Sequence, residues 1–292
     1  MARFVVIDAP SILGLNPTGV ETLPEALKRA GLVEGLKAQY AGRVEAPPYN
    51  AEKDKSTLVR NPYAIKEFSL RLAEKVAEVR RKDQFPIVLG GDCSILIGCT
   101  LALRRLGKYG LFFMDGHADF YQPEAEPSGE VASMELAIVS GRGPSVLTDI
   151  DGLKPLVSDE AIIAFGYRDT QEQKEEGSQD IRATGIHAFE LQQIQALGAA
   201  TAAQEAIQRL QNNQLDGFWI HLDADVLDDA IMPAVDYRLP GGLHWNELSA
   251  VLRVLMASGQ AAGITVTIFN PKLDPDGSIA NQFSQSLIAG LS

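Results

Sequence analysis

The sequence predicts an α/β fold built on a mostly parallel sheet. Three observations predict it. Short apolar runs alternate with stretches of helical period along the chain, the pattern of βαβ units. The runs are apolar on both faces, as in strands that helices cover from two sides. Polar clusters follow the ends of these runs, where ligands bind in sheets of this kind.

Phe4 to Ile7 is the first buried strand and opens into a loop with Pro and Gly. The stretch Gly19–Leu27 begins a helix with Pro24 in its first turn and an end near Gly31. Segment 40–62 is polar and rich in proline, which predicts an irregular surface excursion. Ala64 to Lys82 has helical period, with Ile65, Phe68, Leu72, Val76 and Val79 on one stripe. Phe85 to Leu89 is a strand that stops at Gly90-Gly91-Asp92-Cys93-Ser94, and Ile95 to Leu106 is the next helix. Gly110 to Met114 is a strand, 120–134 a loop without period, and Ser133 to Ser140 starts a helix. Ala161 to Phe165 is a strand ending at Gly166-Tyr167-Arg168-Asp169, followed by a charged helical segment over 170–184. The rest reads as a short strand at Ile186–Phe189, a helix over Ala200–Leu210, a strand over Phe218–Leu222 and a loop from Pro233 to Leu243. A helix over Asn246–Ala257, a strand over Ala262–Phe269 and a last helix over Ala280–Gly290 follow. No linker or change of composition divides the chain, so one domain over 1–292 is expected.

Composition is that of a globular protein, and the formal net charge of −12 argues against a nucleic-acid surface, which needs a basic patch. Cys93 and Cys99 give no disulfide framework and fit a reducing compartment. The first apolar run is too short for a signal peptide, and none approaches membrane-spanning length. The expectation is a cytoplasmic protein without a membrane partner.

The chemistry concentrates in two places. The run Leu111–Met114 ends in Asp115-Gly116-His117-Ala118-Asp119, and the run Trp219–Leu222 ends in Asp223-Ala224-Asp225. In an extended segment alternate side chains share a face, so Asp115, His117 and Asp119 could converge on one point. Two such strand ends could supply five metal ligands. The competing reading is a pair of solvated acidic loops; clustered carboxylates are costly unless a cation neutralises them.

Gly-Gly-Asp-x-Ser at 90–94, Asp-x-His-x-Asp at 115–119, Asp-x-Asp-x-x-Asp from 223 and Gly-Gly-Leu at 241–243, in that order, resemble the arginase/agmatinase (ureohydrolase) family along nearly the whole chain. The resemblance implies a three-layer α/β/α sandwich with a mostly parallel central sheet. It implies two Mn²⁺ ions bridged by a hydroxide that attacks a guanidinium or related carbon. Carried onto this chain, Asp115 and Asp223 bridge both metals, His117 and Asp225 complete one set, and Asp119 and Cys93 the other. Asp119 would also accept a hydrogen bond from the hydroxide. The substrate would be a small molecule, and the assembly a homo-oligomer, trimer or hexamer.

The chain departs from the family at three points. Cys93 stands where the family has His, and a thiolate is a softer ligand, better matched to Zn²⁺ or Fe²⁺ than to Mn²⁺. One metal is expected if that site stays empty. The family's Ser-Gly-Asn-x-His-Gly reads Ser128-Gly129-Glu130-Val131-Ala132-Ser133, so a histidine assigned to proton transfer is Ala132. Its Glu-x-Asn-Pro reads Ile268-Phe269-Asn270-Pro271, so the glutamate that grips a guanidinium is lost. Arginine is a doubtful substrate on this basis, and Glu130 or a water is left as the leaving-group acid.

Glu130 also reads as a solvated loop residue. Arg168 and Arg238 are candidates to receive a substrate carboxylate. His221 reads as a partner behind the ligands or, preferably, as a satisfied core histidine. His187 and His244 read as structural, His244 near a helix N-cap. Two alternatives stand beside the ureohydrolase reading: a deacetylase-like amidohydrolase with a single Zn²⁺, and a catalytically silent metal-binding member of the family.

Overall fold

The computed structural model describes residues 3–211 and 214–292. Eight strands form one sheet: β1 (Phe4–Ala9), β2 (Gln39–Arg43), β3 (Phe85–Gly90), β4 (Tyr109–Met114), β5 (Ile162–Phe165), β6 (His187–Phe189), β7 (Gly217–Asp223) and β8 (Ala261–Thr267). Their order is β2-β1-β3-β8-β7-β4-β5-β6, with every neighbouring pair parallel.

Parallel strands need crossovers, and the helices that make them cover both faces. Alternate strand residues sort into two cores. Val6, Ile87, Phe112, Ile220 and Ile264 pack toward the helices Leu23–Arg29, Ala199–Gln211, Trp245–Ala257 and Ser278–Leu291. Val5, Val88, Leu111, Phe113 and Trp219 pack toward the helices Pro62–Arg80 and Leu96–Leu106. The fold is thus the expected three-layer α/β/α sandwich, and consecutive apolar positions are the price of two buried faces.

The expected elements lie close to those observed, with three differences. Within 40–62 the chain first completes β2, an edge strand that reads as irregular because its five residues Gln-Tyr-Ala-Gly-Arg are mostly exposed. Segment 170–184 is α-helical only over Thr170–Glu176, where Gly177 ends the helix with φ of 78°. A helix at Leu191–Leu197, before Gly198, was not expected.

One feature of the chain's path makes the site. The connection from β3 to β4 skips two positions, which β8 and β7 fill later. Four strand ends from distant parts of the sequence then lie side by side, and they carry Cys93, Thr267, Asp223 and Asp115.

Candidate metal centre

Three of these strand ends use the same local device. Asp92 Oδ1 accepts from the Ser94 backbone N–H at 2.9 Å, Asp115 Oδ1 from His117 at 2.7 Å and Asp223 Oδ1 from Asp225 at 2.8 Å. Each carboxylate turns the chain just past its strand. The predicted extended alternation over 115–119 is therefore not what brings the ligands together. β4 stops at Met114, His117 follows in the turn, and Asp119 sits with φ of 43°, in the left-handed region that aspartate tolerates.

The turns gather two compact groups. In one, Asp115, His117 and Asp119 each present a ligand atom within 4.8 Å of the others; in the other, Cys93, Asp115, His221 and Asp223 do so. Asp225 joins through His117, whose Nδ1 lies 2.9 Å from its Oδ2, and its Oδ1 accepts from the Gly116 backbone at 2.9 Å. Cys93 Sγ is 2.8 Å from Asp223 Oδ2 and 3.0 Å from Thr267 Oγ1.

Arg168 holds this corner in place. Its Nη2 donates to the carbonyls of Asp225, Leu227 and Leu239, and its Nε to that of Pro240. Nε and Nη2 are thus committed to backbone, Nη1 is buried without a partner, and, contrary to the sequence expectation, Arg168 is not among the residues lining the cavity above the centre, where a substrate carboxylate would have to reach it. Arg238 bonds to Asp229 at the surface.

Electrostatics test whether a cation fits. Asp115, Asp119, Asp223, Asp225 and the unanticipated Glu135 are all buried. Burial and then their neighbours' charges push the Asp119, Glu135 and Asp223 carboxyls well above the usual range, and Asp115 up to about 7. Asp225 alone is lowered, to about 2, because the pull of His117 outweighs its burial. His117 is raised in turn: burial works against its charge, but Asp225, Asp115 and Asp119 overcome it. Asp115 Oδ2, both Glu135 oxygens and His221 Nε2 have no partner. Buried acceptors with nothing to accept from, in a set of carboxylates, imidazoles and a thiol, are what a divalent cation repairs. The donor set fits a metal.

Above the centre lies a cavity of about 190 Å³ whose lining includes His117, Asp119, Asp223 and Asp225, with Ala132, Ile268 and Tyr237 among the walls. Ile268 has φ of 68°, a strained conformation for a β-branched residue, and holds it with its N–H on the Gly91 carbonyl at 2.9 Å. Glu130 lines the cavity but is 3% exposed, so the solvated reading fails. Asn16 donates to its Oε1, Tyr237 donates to its Oε2 at 2.8 Å, and Arg60 lies 3.5 Å from Oε1.

His221 is not a satisfied core histidine. Its Nδ1 pairs with Thr265 Oγ1 at 2.8 Å, and its other nitrogen is the unpartnered one. His244 precedes the helix Trp245–Ala257 and gives its backbone N–H to Glu247 at 2.8 Å. Sequence reasoning missed Glu135 altogether. The available signal was a lone carboxylate inside the apolar run Met134–Val139. Asp169, just past the end of β5, accepts from the Ala118 backbone at 3.1 Å and from Gln173 at 2.6 Å, bracing the turn between His117 and Asp119.

The model of the arginase family matches residues 2–291. The chain belongs to the arginase family. It is 31% identical over 282 residues to the arginase of Bacillus caldovelox, covering 94% of this chain and 93% of that protein. It is 30% identical over 285 residues to the arginase of Staphylococcus aureus strain COL, covering 95% and 93%. The solved native structure of the Bacillus caldovelox arginase at pH 5.6 superposes with a TM-score of 0.90 at 28% identity, over 100% of this chain and 99% of that one. Membership of the arginase family makes the chain a hydrolase acting on carbon–nitrogen bonds other than peptide bonds, with a centre that could bind metal.

Proposed function

We propose that the chain hydrolyses a C–N bond of a small cationic guanidino, amidine or amide compound at a divalent metal centre on the cavity floor. One observation carries this reading. Glu126, Glu130, Asp169, Glu172 and Glu176 line the cavity above the floor carboxylates, and no lysine or arginine is among its described lining residues. Such a wall attracts cations and repels carboxylates. A guanidino amino acid would bring a carboxylate that no cationic side chain of the described lining receives. The cavity suits a small substrate without one.

Asp115, His117 and Asp119, with Asp225 beside them, are an oxygen-rich set suited to Mn²⁺, and Asp115 belongs to both compact groups, as a bridging carboxylate would. Divalent ions there supply Lewis acidity and lower the pKa of water. The chain's own residues do the rest. Arg168 fixes the loop that carries Asp225; Asp225 orients His117; Asp169 braces the turn before Asp119. Burial raises the Glu130 carboxyl above its ordinary range, and the hydrogen bonds it accepts on both oxygens work against that rise; we assign it to attracting the substrate's positive charge. Ala132 and Ile268 themselves offer no proton, and we take water as the candidate for protonating the leaving group.

The test is ammonia and urea release over matched pairs of substrates, cationic guanidines and amidines with and without a carboxylate. Faster turnover of the members without a carboxylate is expected. A preference for the carboxylate-bearing members would overturn the substrate assignment, and no turnover of any member would support the silent-member reading instead.

A further inference from the structure

Four of the eleven unpartnered buried side-chain atoms among the described residues belong to three neighbouring residues: Asp115 Oδ2, His221 Nε2 and both oxygens of Glu135. His221, Asp115 and Glu135 are each at most 1% exposed. The ring of His221 stacks on Phe113, with centroids 4.9 Å apart and planes 16° from parallel. This stacking and the Thr265 hydrogen bond fix its orientation. Thr265 Oγ1 can give its proton to the Ile220 carbonyl, 3.4 Å away, and so accept from Nδ1–H. Nε2 is then the unprotonated nitrogen; it lies 4.0 Å from Glu135 Oε1, and His221 presents a ligand atom within 4.8 Å of those of Cys93, Asp115 and Asp223.

With their carboxyls ionised, these groups are all acceptors apart from one thiol proton. A trapped water has two protons and cannot serve an imidazole lone pair and three carboxylates together. A cation can. The four ligand atoms of Cys93, Asp115, His221 and Asp223 lie within 4.8 Å of one another. Ligand atoms around a tetrahedral Zn²⁺ lie about 3.3–3.8 Å apart, so side-chain rotations of about 1 Å bring the set onto one ion.

We propose that Cys93, His221, Asp223 and Asp115, backed by Glu135, form a binding site for a borderline-soft divalent cation of the Zn²⁺ class. It shares Cys93, Asp115 and Asp223 with the second ligand set that the family resemblance implies, and differs from it in taking His221, with Glu135 behind, where that set has Asp119. A thiolate with an imidazole and carboxylates favours Zn²⁺ over Mn²⁺. The loss of histidine at position 93 is thereby compensated from β7, whose His221 sits two residues before Asp223 on the same face. Glu135 brings the extra negative charge that a second ion beside Asp115 would need. The inference rests on the metal-centre reading above, and adds to it His221 and Glu135 as residues of the ion that Cys93 holds.

The test is metal binding by the chelator-stripped full chain, read without turnover. Zn²⁺, Co²⁺ and Mn²⁺ are titrated singly, with metal per chain measured by mass spectrometry and the Co²⁺ form by absorption. A thiolate-to-cobalt charge-transfer band is expected, lost in Cys93→Ser. His221→Asn and Glu135→Gln should each weaken Zn²⁺ binding by about tenfold or more, while Mn²⁺ binding at the His117 set persists. Glu135→Gln is nearly isosteric and covers the case in which His221→Asn fails to fold. Parent-like Zn²⁺ affinity in folded Glu135→Gln or His221→Asn would overturn the inference, as would a Co²⁺ spectrum without the thiolate band. If His117→Ala removes all metal and the other variants remove none, the outer set stands alone. If no divalent ion binds the parent chain, both readings fall.

Discussion

Gly116→Ala isolates the geometry of the centre from its chemistry, because it adds one methyl group and no charge. Gly116 does not lie in the left-handed region, so alanine carries no backbone strain there. The difficulty is space. A Cβ at 116 would stand 2.7 Å from Arg168 Nη1, 2.7 Å from the Asp225 carbonyl and 3.0 Å from Asp225 Oδ1. Ordinary contact begins at 3.4 Å, so the carbonyl must retreat by about 0.7 Å. It cannot retreat alone, because Arg168 ties it to Leu227 and Leu239. Overpacking of this kind costs about 1–3 kcal/mol, a fall in thermal midpoint of roughly 2–10 °C for a chain of this size. The carboxylate of Asp225 moves away from His117 with its backbone, and metal affinity should drop on the order of tenfold. Calorimetry of the apo protein and metal titration, run on the same preparations, read the two effects separately. A variant with the parent's midpoint and the parent's metal affinity would refute the view that Gly116, Arg168 and Asp225 are packed into one rigid corner.

Three other outcomes follow from the structure. Ile268→Glu restores a carboxylate to the cavity wall and should raise kcat/KM for guanidino substrates by about 10–100-fold, the worth of a charge-assisted hydrogen bond; unchanged kinetics would mean that position 268 does not face the substrate. Glu130→Gln should raise KM for cationic substrates about tenfold with little change in kcat, whereas a collapse of kcat at constant KM would make Glu130 the proton donor. The Arg142 guanidinium, bound to both oxygens of Asp159 at 2.8 and 2.6 Å, holds that carboxyl below its ordinary range. The pair's contribution is therefore complete above the unfolded carboxylate pKa and is lost as pH falls through the lower folded value. Arg142→Ala should therefore cost about 1 kcal/mol more near pH 7 than in acid below the folded value, where only its contacts with Ser140 and Phe120 are lost, as urea melts at several pH values would show.

Much of this was legible because burial on two faces leaves a plain trace. Runs such as Ile87-Val88-Leu89 and Leu111-Phe112-Phe113-Met114 have no polar side to hide, so strands, parallel topology and the location of the site at their ends follow together. β2 left no such trace, since an edge strand with exposed Gln39 and Tyr40 looks like loop. The ligand aspartates were legible as residues but not as geometry: turns capped by their own carboxylates, rather than strand alternation, bring them together. His221 and Glu135 were hidden for a different reason. Each is ordinary within its own segment, one in an apolar strand and one at the start of a short helix. Only the sheet order, which sets β7 between β8 and β4, turns them toward the same point.

The central claim is that the buried carboxylates are held together by bound cations, and metal content with thermal stability tests it most directly. Protein purified without added metal is analysed by mass spectrometry and melted with and without chelator. The account predicts divalent metal in every chain, and at a thousandfold excess of free metal over Kd a stabilisation of about 4 kcal/mol, a midpoint on the order of 10 °C above that of the stripped protein. A metal-free chain whose midpoint neither chelator nor added Mn²⁺ or Zn²⁺ moves would contradict it.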